Sequence, residues 1–291
     1  MISVIIVTYN SSDVILECLY SIYNDINRLG AQLIIIDNNS SDDTIYEIEK
    51  FLIENKRRDF TCEIIRNEKN EGYTRAINRG LFRVKEPYIL IINPDVKVLD
   101  GFFNSIISFF KENPATGIVA PQHLTENGRI ISSCRNFPEY KTLLFEILLL
   151  SYMFKKSRIF NFWKMGYFDH KTQREVQQPM GACLFTTKKV VDKVGFFDER
   201  FKMFFSDVDW CYRVHKAGYK IVFLPVAKVI HYQGHSINKN RFRMIIQSHR
   251  DFYLYYKKYF KNRIVNFLYM IILVITVPPR FLIVLIQKIF R

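Results

Sequence analysis

Ile2-Ser3-Val4-Ile5-Ile6-Val7-Thr8-Tyr9-Asn10-Ser11-Ser12-Asp13 decides how the chain is read. A β-rich apolar run ends in a polar cluster, and a helix-initiating segment follows it. The unit recurs: residues 33–36 run into Asp37-Asn38-Asn39-Ser40 and residues 88–92 into Asn93-Pro94-Asp95, with further apolar runs at 62–65 and 117–120. Between the first two runs Ile15, Leu19, Ile22 and Ile26 recur at spacings of 4, 3 and 4, one face of a helix. Ser41-Asp42-Asp43 opens a second helix bearing Ile45, Ile48, Phe51 and Leu52. Short strands alternating with amphipathic helices predict an α/β fold of βαβ units around a mainly parallel sheet. Such sheets hold ligands beyond the carboxyl ends of their strands, where the three polar clusters fall. Each cluster alone is also ordinary turn chemistry.

Composition narrows the function classes. Of 291 residues 49% are apolar and 24% charged, which excludes disorder, collagen-like repeats and a polytopic membrane protein. Neither G-x-x-x-x-G-K-[ST] nor G-x-G-x-x-G occurs, so nucleoside-triphosphatase and dinucleotide readings lack support. The 5 cysteines contain no C-x-x-C pair, so neither a disulfide framework nor a zinc site is expected, and a reducing compartment fits. No secretory signal is read at the N-terminus.

The net charge of +14 is uneven: residues 239–291 hold 11 Lys/Arg and one acid, Asp251. We expect a first domain over 1–238 and a basic, apolar, membrane-docking tail over 239–291. Residues 264–279 carry no charge but number only 16 and end in Pro278-Pro279, which favours an interfacial anchor over a clean span. The Tyr and Arg interleaving of residues 241–263 would also suit nucleic acid, but the apolar run that follows is a poor nucleic-acid surface, so no nucleic-acid partner is expected. Thr142-Leu-Leu-Phe-Glu-Ile-Leu-Leu-Leu-Ser-Tyr-Met-Phe154 reads as a buried helix, although a membrane-contacting loop would have the same composition.

Seven stretches carry a resemblance: SVIIVTYNSSDVILECLYSI, LIIIDNNSSDDT, NEGYTRAINRG, YILIINPDV, GACLFTTKKVVDKVGFFDERF, FFSDVDWCYR and VIHYQGHS. In that order, over residues 2–236, the chain resembles the family 2 glycosyltransferases of GT-A fold, in particular the rhamnosyltransferase-like branch that builds bacterial surface polysaccharides. The resemblance implies that a nucleotide-diphosphate sugar is bound, its leaving diphosphate neutralised, and an acceptor hydroxyl deprotonated.

Residue by residue, it implies Asp95 as a ligand of a divalent ion, Mn²⁺ or Mg²⁺, with Asn93-Pro94-Asp95 standing where the family has D-x-D. His231, of H-x-x-G-x-S, is the second implied ligand. Asp207 matches the base; Ser206 replaces an acid that would have helped raise its pKa. A capping box from Ser206 to Asp209 and an Asp209–Arg213 pair compete for this segment without explaining Asp207. Thr8, Tyr9, Asn10, Asp37, Asn39, Gly72, Arg75, Asn78 and Asn93 correspond to the nucleotide pocket, with Gly72 permitting close backbone approach. Arg75 is either a phosphate contact or a solvated helix residue. Gly181, Ala182 and Trp210 match the sugar and acceptor side, Asp209 is structural or acceptor-positioning, and Cys183 is a packing residue.

The implied reaction is inverting transfer, with dTDP-rhamnose as the expected donor and UDP-galactofuranose, UDP-glucose or UDP-galactose as alternatives. The implied acceptor is a polyprenyl-diphosphate-linked saccharide at the cytoplasmic face of the bacterial plasma membrane, with an anionic membrane surface as partner and a homodimer compatible with the chain. A non-catalytic GT-A-like subunit is the alternative of another class, prompted by Asn93.

Overall fold

The structure is a computed structural model and describes residues 1–56, 59–232 and 241–289. Each expected run is a strand: β1 (Ile2–Thr8), β2 (Gln32–Asp37), β3 (Thr61–Arg66), β4 (Tyr88–Ile92) and β6 (Thr116–Leu124). They join β5 (Val96–Val98), β10 (Cys183–Thr187) and β11 (Lys220–His231) in the order β3-β2-β1-β4-β10-β6-β11-β5. Strands β3, β2, β1 and β4 are mutually parallel, while β10 enters antiparallel between β4 and β6. Short β8 (Arg174–Glu175) pairs with β11, and β7 (Cys134–Arg135) pairs with β9 (Gln178–Pro179) in a separate ribbon. The fold is α/β, a mixed central sheet flanked by helices.

Helices cover both faces of the sheet. In α1 (Ile15–Arg28) the predicted face of Ile15, Leu19, Ile22 and Ile26 is fully buried, each side chain contributing about 1.5–3 kcal/mol of transfer free energy. Helix α2 (Thr44–Glu54) buries Ile48 and Phe51, and Asp42 accepts from the Thr44 amide and hydroxyl at its start. Helices α3 (Tyr73–Phe82), α4 (Phe102–Glu112), α5 (Tyr140–Ile147), α6 (Leu150–Met153), α7 (Lys188–Val194) and α8 (Ser206–Lys216) follow, then α9 (Arg241–Tyr259) and α10 (Arg263–Ile289).

Three expectations are corrected. Helix α9 is no detached tail: Tyr255 and Tyr256 are fully buried in one core with Trp210, Phe201 and Phe223, and the Tyr256 hydroxyl donates to the Glu139 carbonyl at 2.6 Å. The Tyr-rich basic stretch is therefore packing surface for the first domain, and the boundary drawn at 238 does not separate it. The apolar segment 142–154 is not a buried helix either; α5 and α6 leave Leu148, Leu149, Tyr152, Met153 and Phe154 exposed. Finally, Pro278 and Pro279 end the uncharged run but not the helix, since they lie inside α10, whose stretch Arg263–Phe281 is 19 residues long with mean hydropathy 1.8. That is about 28 Å of helix, close to the thickness of a bilayer core.

Candidate functional site

The parallel register sets the site. Pairing of Thr8 with Asp37 and of Ile6 with Ile92 brings the ends of β1, β2 and β4 to one edge of the sheet. There Asp37 is buried and oriented by the Thr8 hydroxyl at 3.0 Å and by the Ser40 amide at 3.0 Å. Asn10 and Asn39 hold left-handed backbone at φ 51° and 66°, a conformation asparagine adopts more readily than most residues. Asn10 braces the second cluster, accepting from the Ser41 amide at 2.8 Å, and Tyr9 projects its ring into solvent. Thr8, Tyr9, Asn10, Asp37, Asn39 and Asn93 thus share one edge.

Antiparallel pairing of β11 with β5 places His231 opposite Val96, beside Asp95. The His231 Nε2 and Asp95 Oδ1 atoms are 3.5 Å apart, and the Tyr232 amide donates to the Asp95 carbonyl at 2.9 Å. Asp95 Oδ1, Asn93 Oδ1 and His231 Nδ1 are buried without a hydrogen-bond partner. Buried polar atoms left unpaired at the end of a rigid strand mark a place where a ligand belongs. Among the described residues no cluster of three or more His, Cys, Asp or Glu suits a metal ion. Gly234 and Ser236 of the His231 pattern lie outside the described residues.

Asp207 comes from the first turn of α8, entered through Phe205 in a left-handed conformation at φ 60°. An aromatic residue held there stores about 1–2 kcal/mol of strain. Asp207 Oδ2 accepts from the Gly181 amide at 3.1 Å and Oδ1 from the Val208 amide at 2.9 Å. A methyl group on Gly181 would meet Asp207 Cβ and Oδ2 at 3.0 Å, so glycine is what lets the turn before β10 approach the carboxylate. Burial pushes the Asp207 carboxyl up, against the two amides and the Arg135 charge that pull it down. The missing acid at Ser206 is therefore not needed to raise it. The expected capping box does not form, as Ser206 caps no amide, whereas Asp209 and Arg213 do pair at 2.9 Å.

Three residues were not legible as site residues. The Tyr73 hydroxyl lies in the field of Asp207 and Asp95 together, and burial with those charges pushes it upward. Tyr73 is held there because Thr74 bonds the carbonyls of Phe201 and Lys202, just upstream of Asp207. Arg135, on β7, has no carboxylate within ion-pairing distance among the described residues; its guanidinium lies 5.1 Å above the Trp163 ring and senses Asp207. His123, at the end of β6, packs its ring 5.5 Å from that of His231 with both nitrogens buried and unpaired, and burial brings its pKa down to about 3. His123 lies near the end of β6 as His231 ends β11, and no sequence motif marks it.

Other expected contacts are spent elsewhere. Arg75 Nε pairs with Glu199 at 3.0 Å, and Asn78 bonds the backbone of Phe197 in both directions; both line a groove of about 510 Å³ with Arg79 and Phe82, apart from Asp95 and Asp207. Gly72 does sit at φ 90°, but what approaches it is the Lys202 carbonyl, 3.1 Å from where a Cβ would lie. Trp210 is buried, stacks on Phe197 at 4.9 Å and donates to the Gly195 carbonyl at 3.0 Å, leaving no face for sugar. Asp209 is fully buried against Arg213, Lys258 and Tyr259, the structural option. Ala182 supplies its carbonyl to the Asn93 amide at 2.8 Å, and Cys183 is buried with its thiol pushed well up, as suits a packing residue.

The profile of glycosyl transferase family 2 matches residues 3–130, which hold β1 through β6 and the Asp95 strand end. Residues 3–130 are a family 2 glycosyl transferase domain. The match stops short of Asp207 and His231. The N-acetylglucosaminyl-diphospho-decaprenol L-rhamnosyltransferase of Mycobacterium tuberculosis is 26% identical over 200 residues, 64% of each chain, so this chain spans about two thirds of that relative. The low-salt glycan biosynthesis hexosyltransferase Agl10 of Haloferax volcanii is 24% identical over 86% of this chain and 73% of its own. Among solved structures, S. aureus TarS 1-349 in complex with UDP-GlcNAc aligns at TM-score 0.55 and 18% identity, over 86% of this chain and 66% of that one. The mannosyltransferase PcManGT from Pyrobaculum calidifontis, with GDP-Man and Mn2+, aligns at TM-score 0.60 and 15% identity, over 89% and 65%. These two likenesses speak to the fold of the family 2 domain.

Proposed function

We propose that the chain is an inverting glycosyltransferase that moves a sugar from a nucleotide-diphosphate donor to a lipid-linked saccharide, with dTDP-rhamnose as donor. The observation that carries the reading is that Asp95 and His231 face each other at 3.5 Å at the strand ends of a family 2 domain, while Asp95 and Asp207 both act on the buried Tyr73 hydroxyl. The name of the mycobacterial relative supports the rhamnose donor and the polyprenyl-linked acceptor.

Asp95 and His231 fit a divalent ion: their facing atoms are 3.5 Å apart, one carboxylate and one imidazole, with Asp95 Oδ1 otherwise unpaired. An ion held there, Mn²⁺ by preference of the imidazole, supplies positive charge to the departing diphosphate. Thr8, Asp37 and Asn10 orient the nucleotide end of the donor at the same edge. Asp207 takes the proton of the acceptor hydroxyl, and its raised pKa suits a base that works near neutral pH. The Gly181 and Val208 amides hold one carboxylate oxygen each and so fix the orientation of Asp207 for that proton. Arg135 favours the ionised form of Asp207 and offers an uncommitted cation to a phosphate on the acceptor side. Helix α10 attaches the chain to the cytoplasmic face of the membrane, where a lipid-linked acceptor resides; the stretch Arg263–Phe281 is only 11% buried.

Nucleoside-diphosphate release, measured with dTDP-rhamnose, UDP-galactofuranose, UDP-glucose and UDP-galactose in the presence of a polyprenyl-diphosphate-linked saccharide, tests the reading. It predicts acceptor-dependent release from dTDP-rhamnose above the other three. Equal release from all would remove the rhamnose assignment, and no release from any would remove the enzyme.

A further inference from the structure

The segment 147–168 leaves the domain and returns to it. Its root is tied: the Asn136 amide donates to the Trp163 carbonyl at 2.9 Å, and the Asn136 side chain donates to the Phe162 carbonyl at 2.8 Å. Its interior is ordered by Asn161, which donates to the carbonyls of Ser151 at 3.0 Å and Lys155 at 2.9 Å, and by Phe160, which packs on Phe145 and Phe154 at 5.2 and 5.1 Å. Leu149 is held in a left-handed conformation at φ 57°. On this braced scaffold Leu148, Leu149, Tyr152, Met153, Phe154 and Ile159 are 54, 61, 67, 67, 47 and 66% exposed. A fixed platform that turns large apolar side chains into solvent is not a failed core; it is a contact surface.

Charge selects the partner. Residues 147–168 contain Lys155, Lys156, Arg158 and Lys164 and no acid, with Lys164 already paired to Glu146. The remaining three cations flank the apolar tip, the arrangement that places aliphatic and aromatic groups among acyl chains and lets basic groups reach anionic headgroups. The helix that leads into the tip, α5, is also tied to α10. The Tyr140 hydroxyl at the start of α5 donates to Asn266 of α10 at 2.8 Å, and Tyr269 stacks on Tyr140 at 5.3 Å. Nearby on α10, Ile264, Phe267 and Leu268 are themselves exposed.

We propose that residues 148–159 form a second membrane contact, a braced tip that enters the interfacial layer of an anionic bilayer beside the attachment made by α10. The inference deepens the membrane part of the reading above and is independent of the sugar-transfer chemistry. Its consequence is orientation: two contacts joined through Tyr140 fix how the Arg135 and Asp207 side of the domain meets the lipid surface.

The test uses the full chain with a Met153→Trp substitution and phosphatidylglycerol–phosphatidylcholine vesicles carrying acyl-chain bromines, the unsubstituted chain giving the background of Trp163 and Trp210. The emission added by the new indole should shift to the blue and be quenched. Leu149→Ser with Phe154→Ser should weaken vesicle binding about tenfold, from two large apolar groups withdrawn from the acyl region. Vesicle-bound protein whose added indole is not quenched would overturn the tip and leave the α10 attachment standing; a chain that binds no vesicles would overturn both. A dimer in sedimentation that the double variant dissolves, without quenching, would assign the tip to a second copy of the chain. Quenching without nucleoside-diphosphate release would keep the tip and remove the enzyme reading.

Discussion

Asp207 and Asp209 lie two residues apart on α8 and live in opposite electrostatic worlds. Asp209 is fully buried and answered on every side, by Arg213 at 2.9 Å, by Tyr259 at 2.6 Å and by Lys258. Asp207 accepts only from backbone amides, and among the described residues no cation lies within ion-pairing distance of it. A buried charge that is paired holds a structure together, whereas one held only by backbone amides with a raised pKa is poised to exchange a proton. The same contrast separates the saturated Asn78–Phe197 clamp from the unpaired atoms of Asp95 and His231.

The contrast breaks most sharply by substitution at the two aspartates. Asp207→Asn keeps shape and should lower transfer about 10²–10⁴-fold while nucleotide affinity and Tm stay as they are. Asp209→Asn should do the reverse, costing about 3 kcal/mol by leaving Lys258 and Arg213 without their shared charge, with the folded fraction still active. Denaturant unfolding and turnover measured on both variants decide the matter.

A smaller effect sharpens the account of Asp207. Because Arg135 favours the carboxylate, Arg135→Gln should raise the pKa of Asp207 further, so the acidic limb of the kcat/KM profile should move to higher pH. A limb that does not move would take Arg135 away from the base.

The smallest effect lies in α9, where burial pushes Asp251 up to about 6 while it accepts from the Phe204 amide at 3.1 Å. The folded state holds this proton more tightly than the unfolded chain, whose carboxyl titrates near 3.9. The resulting stability is complete below the unfolded value and is lost as pH rises through about 6. In Asp251→Asn that slope, read from Tm against pH, should flatten.

How far the sequence could be read follows the same division. Strands β1, β2 and β4 were legible because apolar runs rich in Val and Ile suit a buried parallel sheet, and α1 because its apolar residues keep a helical period. Asp95, His231 and Asp207 were reached through motifs; the fold sets Asp95 against His231 and places Tyr73 in the field of both Asp95 and Asp207. Trp210 and Asn78 matched motifs equally well, yet packing spends them on Gly195 and Phe197, a distinction that only tertiary contacts make. Composition likewise could not place the apolar segment 142–154 inside or outside, nor show that a basic, Tyr-rich helix would dock Tyr255 and Tyr256 into the core.

The central claim is that the strand ends at Asp95 and His231 form a metal-assisted nucleoside-diphosphate site. Calorimetric titration of the full chain with dTDP, UDP and GDP, with and without Mn²⁺, and repeated on Asp95→Asn, tests it most directly. The account predicts that one nucleotide binds tightly only with the ion, and that the substitution removes the dependence on Mn²⁺ along with most of the affinity. Binding of equal strength with and without Mn²⁺, or unchanged in Asp95→Asn, would contradict it.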